Sequence, residues 1–295
     1  MTEPITRWVE PCAGMLAVGL WLRGKCDPPI AYMGGKRWAR STILDGLGVA
    51  AGSGCRDLWI ADAGPAGAFW RAVVEDGDAV CARLDTWIAE WPRDATSERR
   101  LYDHLLPMVD NDPAAWIVVA GWSYRAGDAS SAWGPSAAAD AGARSPLARL
   151  ARLARLARLA RLAAVASGGA RVYPGAASIP VEVAGRTIVL LDPPYVDTTG
   201  YAAGLSRADV VALALAWSEA GAEVLITERE PVVPGWRTVR LYGSGTGSAG
   251  GKWEVLTMSP SVRWRAGEQG DLFGLPARAP GGSAMTGGVG RGVRA

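Results

Sequence analysis

Hydrophobic positions along the chain fall into short runs that alternate with amphipathic stretches. The runs predict strands at Trp8–Glu10, Asp57–Ala61, Thr187–Leu191, Glu223–Thr227, Thr238–Leu241 and Trp253–Met258. The stretches predict helices at Ala66–Glu75, Ala79–Glu90, Glu98–Pro107 and Arg207–Ala220, the last carrying Val210, Val211, Leu213, Leu215 and Trp217. Strands that alternate with helices predict an α/β domain around a largely parallel sheet, because parallel neighbours need a long crossover. Residues 121–146 are rich in Gly, Ser, Ala and Asp and show no period. From Gly267 onward the chain carries nine glycines in 29 residues and almost no apolar mass, which predicts a disordered tail over 267–295.

One segment breaks the alternation. Ala148 to Leu162 is Ala-Arg-Leu five times over, with Leu147 in front. All three residue types favour helix. A period of three falls short of 3.6, so each Leu lies about 60° behind the one before it. Leu147, Leu150, Leu153, Leu156, Leu159 and Leu162 should therefore spiral around the axis, with the arginines doing the same and no face staying apolar. Such a helix either lies on nucleic-acid phosphates or is a codon repeat expanded by slippage from an existing surface helix. The second is favoured, since a helix built for phosphates segregates its charge.

Composition narrows the function class. At 295 residues and 49% hydrophobic, the chain can bury one large core, or one core and a smaller lobe. No apolar stretch reaches the roughly 18 residues of a membrane span, and Met1 to Glu10 lacks the order of a secretory signal. No membrane partner is expected. Cys12, Cys26, Cys55 and Cys81 have no CxxC spacing and His104 is the sole histidine, so neither a metal site nor a disulfide framework is expected. A reducing cytoplasmic setting fits. The net charge of +2 becomes −3 once the five repeat arginines are set aside. A nucleic-acid partner would thus meet local patches and not a uniformly basic body.

The chemistry concentrates in Asp192-Pro193-Pro194-Tyr195, directly after the apolar run Thr187–Leu191. That places it at the carboxyl end of a buried strand, where open α/β sheets bind ligands. An exocyclic adenine amine is a poor nucleophile because its lone pair is delocalised into the ring. A carboxylate and a nearby backbone carbonyl can accept both N–H bonds and localise that pair. Two prolines fix φ and stiffen the loop, and an aromatic ring offers a stacking surface for a flipped base. A plain Pro-rich turn would need none of this, and the strand context weighs against it.

Residues 192–195 resemble the catalytic tetrapeptide of amino-directed methyltransferases, and their surroundings resemble the Dam-type adenine-N6 DNA methyltransferases, with an apparently rearranged motif order. Glu10, Pro11, Cys12, Ala13 and Gly14 resemble the family's first strand and loop, usually E-P-F-x-G-x-G; Cys12 replaces the Phe and Leu16 the last Gly. Tyr32, Gly34, Gly35 and Lys36 resemble its G-G-K segment, which normally precedes that loop and here follows it. Trp59 to Asp62 resembles the second strand with its terminal acid, although Asp62 reads equally well as an ordinary cap before a helix. Val196 to Tyr201 resembles the substrate loop, and Lys252 to Leu256 the last strand.

The resemblance implies a Rossmann-like S-adenosylmethionine-dependent methyltransferase sheet formed by 1–98 and 186–266, with an inserted, mainly helical target-recognition lobe over 99–185. It implies Asp192, Pro193, Pro194 and Tyr195 as the catalytic loop and S-adenosylmethionine as cofactor. Glu10, Pro11, Cys12, Ala13, Gly14, Tyr32, Gly34, Gly35, Lys36 and Asp62 would hold that cofactor. Tyr201, Trp122, Tyr124 and Arg125 would meet the substrate, although tryptophans of a small helical subdomain also serve simply as core. DNA is the implied partner, with a cognate restriction nuclease as a further one. Cytosine-N4 or RNA adenine methylation uses the same tetrapeptide logic, and a decayed, non-catalytic relative would keep only nucleic-acid binding.

Overall fold

The computed structural model of the chain describes residues 3–30, 36–90, 97–122, 146–194, 205–242 and 253–265. Seven strands form one sheet: β1 (Ile5–Glu10), β2 (Asp57–Ala61), β3 (Arg171–Tyr173), β4 (Arg186–Leu191), β5 (Glu223–Glu228), β6 (Arg237–Tyr242) and β7 (Trp253–Met258). Their order is β3-β2-β1-β4-β5-β7-β6. β7 runs antiparallel to both β5 and β6, while the other pairings are parallel. Every residue of β4 and β5 is buried, as expected of central parallel strands covered on both faces. The architecture is the α/β sheet that the alternation predicts, in the Rossmann-like form that the resemblance implies.

Successive side chains go to opposite faces, and the core divides accordingly. Trp8, Leu58, Ile60, Ile188, Leu190 and Leu225 join one cluster; Val9, Trp59, Ala61, Val189, Leu191, Val224 and Ile226 join the other. The first face is covered by α1 (Ala17–Gly24), α2 (Arg40–Gly46), α3 (Pro65–Glu90), α4 (Ser97–Leu105), α5 (Pro113–Trp122) and α6 (Pro146–Ser167). The second is covered by α7 (Arg207–Glu219), which buries Val210, Ala214 and Trp217. Ser206 caps α7, accepting the Asp209 amide at 3.1 Å, and Asp209 accepts the Ser206 amide in return.

Six predicted strands are present, several one to three residues longer than their apolar runs. The two helices predicted over 66–75 and 79–90 are one helical run broken at Asp76 (φ −153°, ψ 74°), whose Oδ1 accepts the Ala79 amide and so caps the second half. β3 is an addition. It lies within the span assigned to the lobe yet pairs with β2, so the sheet already includes residues 171–173. The described helices between 97 and 167 bury Leu101, Trp116, Ile117 and Ala160 in the same cluster as the sheet. The tail 267–295 lies outside the described residues.

The repeat is helical, and its described side chains show the 60° drift directly. Leu156 is 8% exposed, Leu159 half-buried and Leu162 46% exposed. One expectation fails here: a packed face does exist, and alanines make it. Ala157, Ala160, Ala163 and Ala166 are buried against the rest of the molecule, while Arg155, Arg158 and Arg161 point outward. Small residues allow α6 to approach closely, for a Cβ on Gly77 of α3 would sit 2.7 Å from the Ala164 methyl. Arg161 adds an exposed ion pair to Asp85, worth at most about 1 kcal/mol.

Candidate active site

The chain runs from β1 outward to β2 and β3, then returns to β4 and proceeds outward the other way. The order therefore reverses between β1 and β4, and the crevice at their carboxyl ends is where a doubly wound sheet binds ligands. Glu10 ends β1, and Asp192 directly follows β4.

Residues 11–16 turn tightly out of β1 and are tied to the neighbouring strand. The Ala13 amide donates to the Ala61 carbonyl at 2.9 Å, the Gly14 amide to Asp62 Oδ2 at 3.0 Å, and Trp70 Nε1 to the Gly14 carbonyl at 2.7 Å. Asp62 Oδ1 accepts the Gly64 amide at 2.8 Å, at the start of α3. Burial raises the Asp62 pKa above the usual carboxylate value, opposed by the backbone donors of Gly64, Gly14 and Gly67. Gly67 is needed for this approach: a Cβ there would fall 2.0 Å from the Asp62 carbonyl oxygen. Asp62 thus fastens loop, strand end and helix together, and its carboxylate retains lone-pair capacity for a ligand beyond those backbone donors.

Leu16 sits in the left-handed region (φ 52°, ψ 42°) and is fully buried. A side chain in that conformation costs roughly 1–2 kcal/mol, whereas glycine adopts it freely. Losing the buried Leu side chain costs about 2–5 kcal/mol, which outweighs the strain and accounts for Leu being tolerated. Both Leu16→Ala and Leu16→Gly should destabilise, but the glycine variant should be the more stable of the two by about 1 kcal/mol. Thermal denaturation of the pair checks this, and an alanine variant as stable as glycine would sink it.

Glu10 Oε1 accepts Trp8 Nε1 at 2.7 Å and the Gly19 amide at 2.8 Å. Burial pushes Glu10 up to about 8 despite those donors, with the Asp192 charge adding to the rise and Lys36 opposing it. The carboxyl is therefore largely protonated at neutral pH. A raised folded-state value stabilises the protein fully below about 4.5, and that contribution is lost as pH rises through about 8. The wild type should accordingly lose stability between pH 5 and pH 8.5 relative to Glu10→Gln, on the order of a few kcal/mol. Parallel melting curves for the two across that range would sink the assignment.

Asp192 is the centre of the charged cluster. Its Oδ1 lies 2.5 Å from Lys36 Nζ and accepts Thr227 Oγ1 of β5 at 2.7 Å. Lys36 Nζ also reaches Glu254 Oε2 of β7 at 3.5 Å, and the lysine side chain is 2% exposed. Asp192 lies close enough to raise the Cys12 thiol pKa, after burial as the main cause and with Asp62 adding to it. Pro193 is buried and Pro194 half-buried.

Of the residues singled out in the sequence, the structure brings Glu10, Pro11, Cys12, Ala13, Gly14, Lys36, Asp62, Asp192, Pro193 and Pro194 to this end of the sheet. Lys36 reaches Asp192 although its segment follows the first loop in the chain. Tyr32, Gly34, Gly35, Tyr124, Arg125, Tyr195 and Tyr201 lie outside the described residues. Trp122 ends α5, and its side chain is likewise outside them. Thr227 and Glu254 were missed as site residues. The available signal was position, since Thr227 lies near the carboxyl end of a predicted parallel strand. Among the described residues there is no cluster of metal ligands, and no helix is long and apolar enough to cross a membrane.

No family model matches the chain, and no curated protein does. Among solved structures, it is similar to the rRNA methyltransferase aviRa from Streptomyces viridochromogenes, with 14% identity over 89% of this chain and 80% of that one and a TM-score of 0.39. At that likeness the site itself has to carry the function.

Proposed function

We propose that the chain is an S-adenosylmethionine-dependent methyltransferase acting on the N6 amine of adenine in DNA. One observation carries the reading: Asp192-Pro193-Pro194 stands at the carboxyl end of β4, beside the switch point, and its carboxylate lies close to the β1 loop. Nucleophile handling and cofactor holding would then share one crevice.

The chemistry of the residues present fits the cofactor. Pro11 to Gly14 form a small-residue loop that allows close approach, and Gly14 has positive φ (45°). Asp62 offers carboxylate lone pairs at the end of β2, suited to a ribose diol, and Glu10 offers a carboxyl at the end of β1. When bound, S-adenosylmethionine supplies the electrophilic methyl group. Asp192 accepts an N–H bond from the target amine and so directs its lone pair outward. Pro193 and Pro194 fix the loop that presents that carboxylate. The span 99–185, with Trp122, Tyr124 and Arg125, would contribute target recognition, and Tyr195 and Tyr201 would face the flipped base.

Nucleoside mass spectrometry of DNA and RNA from cells expressing the protein tests this. N6-methyladenine in DNA is expected. Methylcytosine alone, or methyladenine only in RNA, would replace the substrate assignment. No methylated nucleoside, together with no binding of S-adenosylhomocysteine by calorimetry, would overturn the enzyme reading altogether.

A further inference from the structure

Resting on the methyltransferase reading, we propose that Thr227 is a positioning residue for Asp192: with Lys36 it commits Oδ1, leaving Oδ2 as the atom that receives the target amine. The register places the two side by side. Leu191 pairs with Ile226 across β4 and β5, so Asp192 and Thr227 are the next residues on adjacent parallel strands. The Thr227 hydroxyl has one proton to give. It lies 2.7 Å from Asp192 Oδ1 and 3.4 Å from the Leu191 carbonyl, so the carboxylate takes it. Lys36 Nζ approaches the same oxygen at 2.5 Å. Among the described residues Oδ2 makes no hydrogen bond, and the Asp192 side chain keeps 21% of its surface open.

The division of labour between the two donors follows from their chemistry. The second torsion of an aspartate is broad and does not fix the carboxylate plane. Lys36 carries charge on a flexible stem and is shared with Glu254, so it constrains direction weakly. Thr227 is β-branched, fully buried and on a central strand, hence fixed at χ1. Its hydroxyl anchors one oxygen in place and thereby sets where the other points.

The test uses the full chain as wild type, Thr227→Val and Thr227→Ser. Single-turnover methyl transfer to DNA is read beside the affinities for S-adenosylhomocysteine and for DNA. The valine variant should transfer about 10- to 100-fold more slowly, the cost typical of a misplaced catalytic group, with both affinities within about threefold. Serine, which restores the donor, should recover most of the rate. Valine as fast as wild type, or serine as slow as valine, overturns the proposal. A wild type that transfers no methyl group overturns the functional reading instead. Crystal structures then judge the positioning alone: a carboxylate plane turned in the valine variant supports it, and an unchanged plane overturns it.

Discussion

Replacing Asp192 with alanine is expected to remove methyl transfer, a loss of at least about a thousandfold, while the affinity for S-adenosylhomocysteine stays within a few-fold. The size of the effect follows from the role proposed for the carboxylate. An amine whose lone pair belongs to the ring must be turned toward its electrophile by an acceptor at a fixed place, and nothing else described at the end of β4 offers one there. The separation of rate from affinity follows from the layout. Asp62 and the loop 11–16 are held by their own hydrogen bonds to Ala61, Gly64 and Trp70, none of which involves Asp192. Radiolabelled transfer and calorimetry measure the two quantities. An equal fall in both would mean that Asp192 builds the pocket and does not handle the amine.

The second large effect concerns stability. Lys36 is a buried cation held between two carboxylates that come from different strands. Removing one partner of a buried pair leaves uncompensated charge, typically at about 3–5 kcal/mol. Asp192 retains some exposure, so Lys36→Met should cost nearer 2–4 kcal/mol, or very roughly 4–16 °C in Tm. The double variant Lys36→Met, Glu254→Gln should recover part of that loss, because it removes one of the two stranded charges. An unchanged Tm in the single variant would show that the lysine neutralises nothing the fold depends on.

Much of the sheet was legible because its central strands β4 and β5 carry short apolar runs, which is what a strand buried on both faces requires. The departures have physical causes. α5 is apolar on all sides, so Pro113–Trp122 shows no helical period although every described residue from Ala114 to Ala120 is buried. β3 has only three residues, too few to show an alternation. α1 begins after Leu16 in a left-handed conformation, with no side-chain cap to announce it. In the site, Asp192 could be read from its strand and its prolines. The end of Thr227's strand could be read too, but not its place beside Asp192, which depends on which strand lies next to β4. Asp62 had two readings, strand-end cap or ribose ligand; its bonds to the Gly14 and Gly64 amides establish the first and leave room for the second.

The alanine stripe of α6 has a consequence for heredity. Among the described side chains of that helix, Ala157, Ala160, Ala163 and Ala166 are buried toward its carboxyl terminus. Gain or loss of whole triplets leaves that end identical and shifts only the other one. Each added Ala-Arg-Leu moves the start of the helix outward by about 4.5 Å and turns it by about 300°. A replication slip in this tract therefore changes a length and an angle in fixed steps while the buried alanines at the carboxyl end stay the same. Lineages carrying different triplet numbers would keep the same buried alanines and differ in how much helix precedes them, a length that the genome can reset one notch at a time.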